Sequence, residues 1–474
     1  MKSLNGLPLD DDILNQILNH LPDFDSLKAT ILSTKSFYNV YNAHPNSIRR
    51  AVAKNVVGPA LPEALRVVRH HDPDDEDAPE GDTDESAPIT NGEISELVEN
   101  ARLFGALEDV FSLRHKNRKF KKSQLTYEES LRFQRAIYRL ALYSKVFPGL
   151  ALFQDFYEDS DEDNTVEPQA KKRIEQIAFL RHFSVLDLRQ IYSVSEFLTD
   201  LVRWSEAGDS LDGSVDTDSN GKAGLALSCG PEIIYRCYNE GSTEILMAEL
   251  DWYDDDDPPP FFDGYITDPL SKLFKEHDFK GTFEDATHWQ SIVDDIVGIH
   301  DSCSHCGQEG GFNLWGPSTY EYLHQTTPSL RPGTGLVSLL KGELSKNPIE
   351  KRYFGRLIKN IPRDENIYEH VIQDLLDSDY KTPEHEDWKR DDWLCTECLT
   401  KLLKENLHLW LLDKKIQSEP PTASDACFLT IKWDRTDGEE IPGDCWYGWD
   451  CRTQIHKREH ASKLNHICEP TKGK

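Results

Sequence analysis

Two C-x-x-C turns constrain the fold of this chain more than any other sequence feature. The first contains Cys303 and Cys306, the second contains Cys395 and Cys398, and 88 residues lie between Cys306 and Cys395. A C-x-x-C turn places two thiolates on one side of a metal ion, so two turns complete a tetrahedral sulfur site of the kind that zinc occupies in structural centres. The spacing therefore predicts that a structural zinc ion joins distant parts of one domain.

The competing interpretation of these four cysteines is two pairs of buried thiols. Gly307 and the polar residues beside both pairs favour turns over core positions. A disulfide within each pair is disfavoured, because four of the ten cysteines of a long chain without a signal peptide form C-x-x-C pairs, a pattern typical of a reducing compartment. The spacing leaves open whether the two pairs share one ion.

A second group of potential metal ligands lies near the C-terminus. Six such residues occur within 24 positions: Cys445, Cys451, His456, His460, His466 and Cys468. We expect a second structural zinc site formed by Cys445, Cys451, His460 and Cys468. The selection among His456, His460, His466 and Cys468 stays open at this stage, as does the interpretation of solvated histidines with core cysteines. The expected cofactor is therefore one or two structural zinc ions.

The same segment contains an H-x-x-E-H sequence, which is the order found in inverted zinc peptidases. His456 and His460 would bind the metal and Glu459 would activate water. Such an enzyme also needs a third protein ligand downstream, and among the fourteen residues after His460 the only acidic one is Glu469. We therefore expect a closed structural site and no catalytic residues in this chain.

Composition limits the partners of the chain. The 84 acidic residues outnumber the 53 basic ones, so the formal net charge is −31. A strongly negative protein is repelled by nucleic acid and by anionic membranes, so neither is an expected partner. The N-terminus lacks the apolar run of a signal peptide, and no apolar run of membrane-spanning length follows. The expected location is the cytoplasm, the nucleus or both.

One basic run stands out in this acidic sequence, at residues 114–122. Its composition is typical of a nuclear-import signal or of a contact for an acidic ligand, but for so short a run a solvated helix end is the favoured interpretation. Cys229 and Cys237, which lie upstream of the C-x-x-C pairs, are predicted to be free thiols in the core.

The first forty-odd residues show the apolar spacing of three short helices. Ile13, Leu14, Ile17, Leu18 and Leu21 form one stripe; Leu27, Ile31 and Leu32 form a second; and Phe37, Tyr38 and Tyr41 belong to a third. Pro22 separates the first two helices, and Asp25 is predicted to cap the second. Three helices of this length bury little apolar surface, so we expect another surface to cover part of this one.

These residues resemble the F-box, the helical module that joins a substrate receptor to the Skp adaptor of a cullin-based ubiquitin ligase. The resemblance implies that the adaptor binds Leu7, Pro8, Ile13, Ile17, Leu21 and Phe37, and that a cullin scaffold belongs to the same complex. Two extra residues separate Leu7-Pro8 from the first helix, and Ser33 stands where a valine is usual. The segment from Asp444 to Thr471 resembles a tail found in fungal F-box-like proteins.

The remaining pattern gives the domain organisation. We predict a mostly α protein with an F-box-like module at 1–50, a helical extension and acidic disordered linker at 51–92, a helical body with acidic loops at 93–290, and a zinc-stabilised α+β domain at 291–474. The resemblance to the F-box implies that the chain is a substrate receptor that binds a protein substrate through its body. The alternative is a metal-stabilised interaction protein unrelated to ubiquitin.

Overall fold

The computed structural model describes residues 10–70, 87–149, 166–209, 219–240, 242–248, 262, 264–277, 288–320, 323, 334–361, 367–417 and 443–472. The described part of the chain is mostly helical, as predicted, and its backbone pairing outside helices consists of isolated bridges. The chain divides into two compact units, one formed by Met1–Ser205 with Asp216–Ile296 and the other by Glu206–Val215 with Val297–Lys474. None of the described helices combines the length and apolar character needed to cross a membrane.

The first unit is built from helices in sequence order. These are α1 Asp11–Asn19, α2 Phe24–Ser33, α3 Lys35–Ala43, α4 Pro45–Val57, α5 Leu61–Val68, α6 Asn91–His115, α7 Tyr127–Val146, α8 Val166–Leu180, α9 Val185–Asp209, α10 Ser219–Cys229, α11 Pro231–Glu240, α12 Glu244–Ala248 and α13 Thr267–Glu276. Long helices begin at capping boxes: Thr90 with Glu93 starts α6, and Thr126 with Glu129 starts α7.

The three predicted N-terminal helices form, and they have a small core of their own. Leu14, Leu18, Leu27 and Val40 are buried there together with Ile48 and Val52 of α4. The cap of α2 is Asp23, whose carboxylate accepts from the Ser26 N–H at 2.7 Å, so the prediction of Asp25 as the cap was wrong. The predicted adaptor residues Leu7 and Pro8 lie outside the described residues.

The main core of the first unit joins α4 and α5 to the helical body. Ala53, Val57 and Leu65 are buried with Phe111, Phe133 and Phe197 from α6, α7 and α9. The helix α4 thus contributes to both cores, and it crosses the boundary that the sequence predicts at residue 50. The acidic stretch predicted as disordered at 72–86 lies outside the described residues.

The basic run at 114–122 is partly buried, which differs from the solvated helix end predicted from its composition. Lys116, Asn117 and Arg118 are each less than a tenth exposed. The Lys116 ammonium lies 2.8 Å from the fully buried Glu129 carboxylate, which also accepts from the Asp294 N–H at 2.7 Å. A buried carboxylate is costly unless paired, so this lysine is held inside by its partner.

The second unit is also helical in its described part. Its helices are α14 Thr334–Ser338, α15 Pro348–Asn360, α16 Ile367–Asp377, α17 Thr396–Gln417, α18 Thr453–His456 and α19 Arg458–Lys463. The core lies between α15, α16 and α17, where Phe354, Leu375 and Trp410 are buried. Residues 418–442 lie outside the described residues, and the α+β prediction for this domain is confirmed only in its α component.

Candidate metal centre

The two C-x-x-C turns meet, as their spacing predicts. The ligand atoms of Cys303, Cys306, Cys395 and Cys398 all lie within 4.8 Å of one another. The sulfur atoms of Cys306 and Cys395 are 3.7 Å apart. Two thiolates on one tetrahedral zinc are expected at about 3.8 Å, given Zn–S bonds near 2.3 Å, whereas a disulfide would bring them to about 2 Å. The observed spacing is therefore compatible with two ligands of one ion and excludes a disulfide between these two cysteines.

Local backbone contacts hold the two turns together. The first turn closes through the Gly307 N–H, which donates to the Cys303 carbonyl at 3.0 Å, and Gly307 has the positive φ of 70° that this turn requires. Ser304 N–H donates to the Trp393 carbonyl at 2.9 Å. Cys398 lies in the first turn of α17, so the second pair is a loop-to-helix transition. The two ends of the 88-residue segment between the turns thus lie next to each other.

The electrostatics of the four thiols favours a cation between them. Burial alone would raise the pKa of Cys303, but backbone N–H groups from Cys306, Cys395 and His305 lower it to about 6. Burial and the neighbouring thiols raise the pKa of Cys398 well above its usual value, and burial raises the pKa of Cys395 as well. One thiolate is stabilised by the backbone while further thiolates repel it, a conflict that a divalent cation removes.

The second cluster lies in the C-terminal tail and contains four of the six candidate ligands. The ligand atoms of Cys445, Cys451, His460 and His466 all lie within 4.8 Å of one another. His460 Nε2 is 3.3 Å from Cys451 Sγ and 3.8 Å from Cys445 Sγ. A thiolate and an imidazole nitrogen on one tetrahedral zinc are expected about 3.6 Å apart, so both separations fit a shared ion.

His466 occupies the position that the sequence interpretation assigned to Cys468. Its side chain is fully buried, and neither ring nitrogen makes a hydrogen bond of normal geometry. Burial and the nearby His460 lower the pKa of His466 to about 4, so the ring is neutral at pH 7. A buried, neutral imidazole without partners is the form in which histidine binds metal, and an unpaired polar group there is otherwise costly.

Cys468 lies beside the cluster, and its sulfur is not among the four mutually close ligand atoms. Its Sγ donates to the carbonyls of Cys445 and Asn465 at 3.5 Å and 3.4 Å. Burial, with the nearby Asp444 carboxylate, raises the pKa of Cys468 to about 11, so it remains a thiol. Position, and not protonation, therefore separates the two candidates, because the ligand atom of His466 lies with those of Cys445, Cys451 and His460 whereas the Cys468 sulfur is outside this group.

A tight turn fixes the geometry of the tail. Gly448 has φ of 44°, and a Cβ at this position would lie 2.1 Å from the Cys468 carbonyl oxygen. Trp449 N–H donates to the same carbonyl at 3.2 Å. Only glycine fits here, and the turn holds Cys445 and Cys451 next to the segment that carries His466.

The H-x-x-E-H sequence does not assemble as a peptidase site. His460 belongs to the metal cluster, whereas His456 is exposed at the end of α18 and lies outside it. The carboxylate of Glu459 is exposed on α19. A tetrahedral ion held by all four ligands of the cluster would have no position for an activated water.

The predicted adaptor residues that the structure describes are divided between surface and core. Ile13 and Ile17 are 47% and 38% exposed, whereas Leu21 and Phe37 are partly buried against the small core of the N-terminal helices. Sequence periodicity does not distinguish these two environments, because all four positions are apolar at helical spacing.

Comparison with protein-family models, with curated proteins and with solved structures finds no match.

Proposed function

We propose that this protein is an F-box-like substrate receptor whose N-terminal helices bind the Skp-type adaptor of a cullin-based ubiquitin ligase. The observation that supports it best is the exposure of Ile13 and Ile17, which lie one turn apart on the same face of α1. Leu14 and Leu18, which share the predicted stripe, are buried in the core. The helix therefore has a second apolar face beyond the one that folding needs.

The neighbouring helices also carry exposed large apolar side chains. Leu32 on α2 is 75% exposed and Tyr38 on α3 is 51% exposed. Fully burying a large apolar side chain stabilises by about 2 kcal/mol. Ile13, Ile17, Leu32 and Tyr38 are each roughly half exposed, so about half of this free energy would still be gained if a partner covered the side chain. A partner that covered all four would gain about 4 kcal/mol from them, a substantial share of a micromolar binding energy.

The C-terminal unit is proposed to fold around two structural zinc ions. The Cys303, Cys306, Cys395 and Cys398 set offers four sulfurs, and the tail set offers two sulfurs and two imidazoles, which are the two commonest donor sets of structural zinc. Both sets are closed, so the ions would stabilise the fold and take no part in a reaction. Ubiquitin transfer would be performed by enzymes that the cullin positions.

To test the adaptor proposal, the full chain is mixed with the Skp adaptor, and the two are tested for co-purification. We expect the wild type to retain the adaptor, and the Ile13→Asp/Ile17→Asp variant to lose it, because two carboxylates would have to be desolvated at the interface. The matched control is Val98→Asp/Ile174→Asp, which places the same charges at two other exposed aliphatic positions, 40% and 63% exposed.

The zinc content of each variant shows whether the second unit is still folded. Adaptor binding that survives in the Ile13→Asp/Ile17→Asp variant contradicts the assignment of this surface. Failure of the wild type to bind the adaptor refutes the F-box proposal and leaves a metal-stabilised interaction protein unrelated to ubiquitin as the function.

A further inference from the structure

A basic groove opens beside the tail metal cluster. It has a volume of about 670 Å³ and is lined by Lys457, Arg458, Glu459, His460, Lys463 and Leu464. Three of these six residues are cations, and one is a carboxylate. We call this surface the tail groove. The metal ligand His460 forms part of its wall, so ion binding by the tail cluster would fix the position of the groove.

The cations of the tail groove are not neutralised. Lys457, Arg458 and Lys463 are exposed, and no ion pair to any of them occurs within the part of the chain that the structure describes. The sequence from Arg452 to Lys474 contains six Lys and Arg residues against two Glu, in a chain whose net charge is −31. A local positive surface of this kind attracts an anionic partner although the whole protein does not.

An exposed aromatic residue follows one ligand of the metal cluster in the sequence. Trp446 is 74% exposed, and its backbone carbonyl is held by the N–H groups of Thr471 and Lys472 at 3.0 Å and 3.1 Å. It directly follows Cys445, whose Sγ lies 3.8 Å from His460 Nε2. The same metal cluster thus joins an exposed tryptophan, whose backbone is fixed, to a groove that contains an arginine, and Trp and Arg are enriched at interface centres.

We propose that the tail groove and Trp446 together bind an acidic peptide segment, with its carboxylates on Lys457, Arg458 and Lys463 and an apolar side chain on Trp446. This inference rests on the proposed function, because it names the segment of the substrate that the receptor recognises. A peptide is favoured over nucleic acid by the small extent of the positive surface. A long polyanion would continue from the groove over a chain that carries an excess of acidic residues.

The test measures fluorescence anisotropy of a labelled, Glu-rich peptide that contains one Leu, added to the full chain loaded with zinc and without any adaptor. We expect binding that weakens as salt is raised, because exposed charges are screened. The Lys457→Glu/Arg458→Glu/Lys463→Glu variant should bind roughly tenfold more weakly or not at all. Trp446→Ala should also weaken binding. This loss of affinity should depend less on salt concentration than the loss in the charge-reversal variant.

The matched control is Lys272→Glu/Lys275→Glu/Lys404→Glu, which makes the same change of net charge at three other exposed lysines. It should keep the affinity of the wild type, and the zinc content of both variants should be unchanged. An equal loss of affinity in the two variants would show that only the net charge of the chain matters, and it would overturn the proposal. So would preferential binding of a labelled single-stranded RNA, or equal binding of a peptide with Gln in place of Glu. Since no adaptor is present, these outcomes are independent of the adaptor test.

Discussion

Replacement of His466 by alanine should remove the tail zinc ion, whereas replacement of Cys468 by serine should leave it in place. The two residues lie two positions apart, and both are candidate ligands by residue type. In the structure His466 belongs to the four-residue cluster, while the Cys468 sulfur donates to two backbone carbonyls. A serine hydroxyl can donate to the same carbonyls, so Cys468→Ser should preserve the local fold.

The magnitude follows from the share of one ligand in the site. Structural zinc binds small zinc-finger peptides with about 10 to 16 kcal/mol at pH 7, so one of four ligands contributes about 3 kcal/mol. That corresponds to a zinc affinity about a hundredfold lower in His466→Ala. The loss would be larger in practice, because the alanine also leaves a cavity at a fully buried position.

The assay is elemental analysis of protein purified under reducing conditions, followed by competition for zinc with a chromophoric chelator. Wild type and Cys468→Ser should each hold close to two ions per chain, one for each cluster, and His466→Ala close to one. The reasoning is refuted if Cys468→Ser loses an ion while His466→Ala keeps both. That result would restore Cys468 as the fourth ligand.

Two further predictions concern the other cluster and the first unit. Cys395→Ser should lose one zinc ion and destabilise the second unit in thermal unfolding. The control Cys229→Ser, which changes a cysteine outside both clusters, should keep both ions. Two ions in Cys395→Ser would contradict a shared sulfur site. Burial, with the Arg114 charge, lowers the pKa of His115 from 6.5 to about 3, so its contribution to stability is complete above pH 6.5 and falls as the pH drops towards 3. Between pH 7 and pH 5 that loss is about 2 kcal/mol. The free energy of unfolding, measured in urea, should decrease by correspondingly less over this interval in the non-titrating His115→Phe variant than in the wild type. Equal decreases in the two proteins would show that His115 is not the titrating group.

Local sequence determined the helices and most of the candidate metal ligands. A C-x-x-C turn has little conformational choice, so Cys303 and Cys306 lie side by side for reasons contained in a few residues, and the same holds for Cys395 and Cys398. Apolar spacing likewise predicted the N-terminal helices, although it did not separate the buried Leu14 and Leu18 from the exposed Ile13 and Ile17 of the same stripe. These features depend on neighbours in the sequence, and sequence patterns describe such neighbours directly.

Tertiary structure decided the features that depend on distant backbone. The choice of His466 over Cys468 follows from the Gly448 turn, which approaches the Cys468 carbonyl and leaves the Cys468 thiol facing main-chain oxygens. The burial of Lys116 depends on Glu129, which a later helix places beside it. The sequence names the possible ligands and charged residues. The burial, the partners and the orientation of a side chain follow only from the packed chain, because each depends on atoms contributed by other segments.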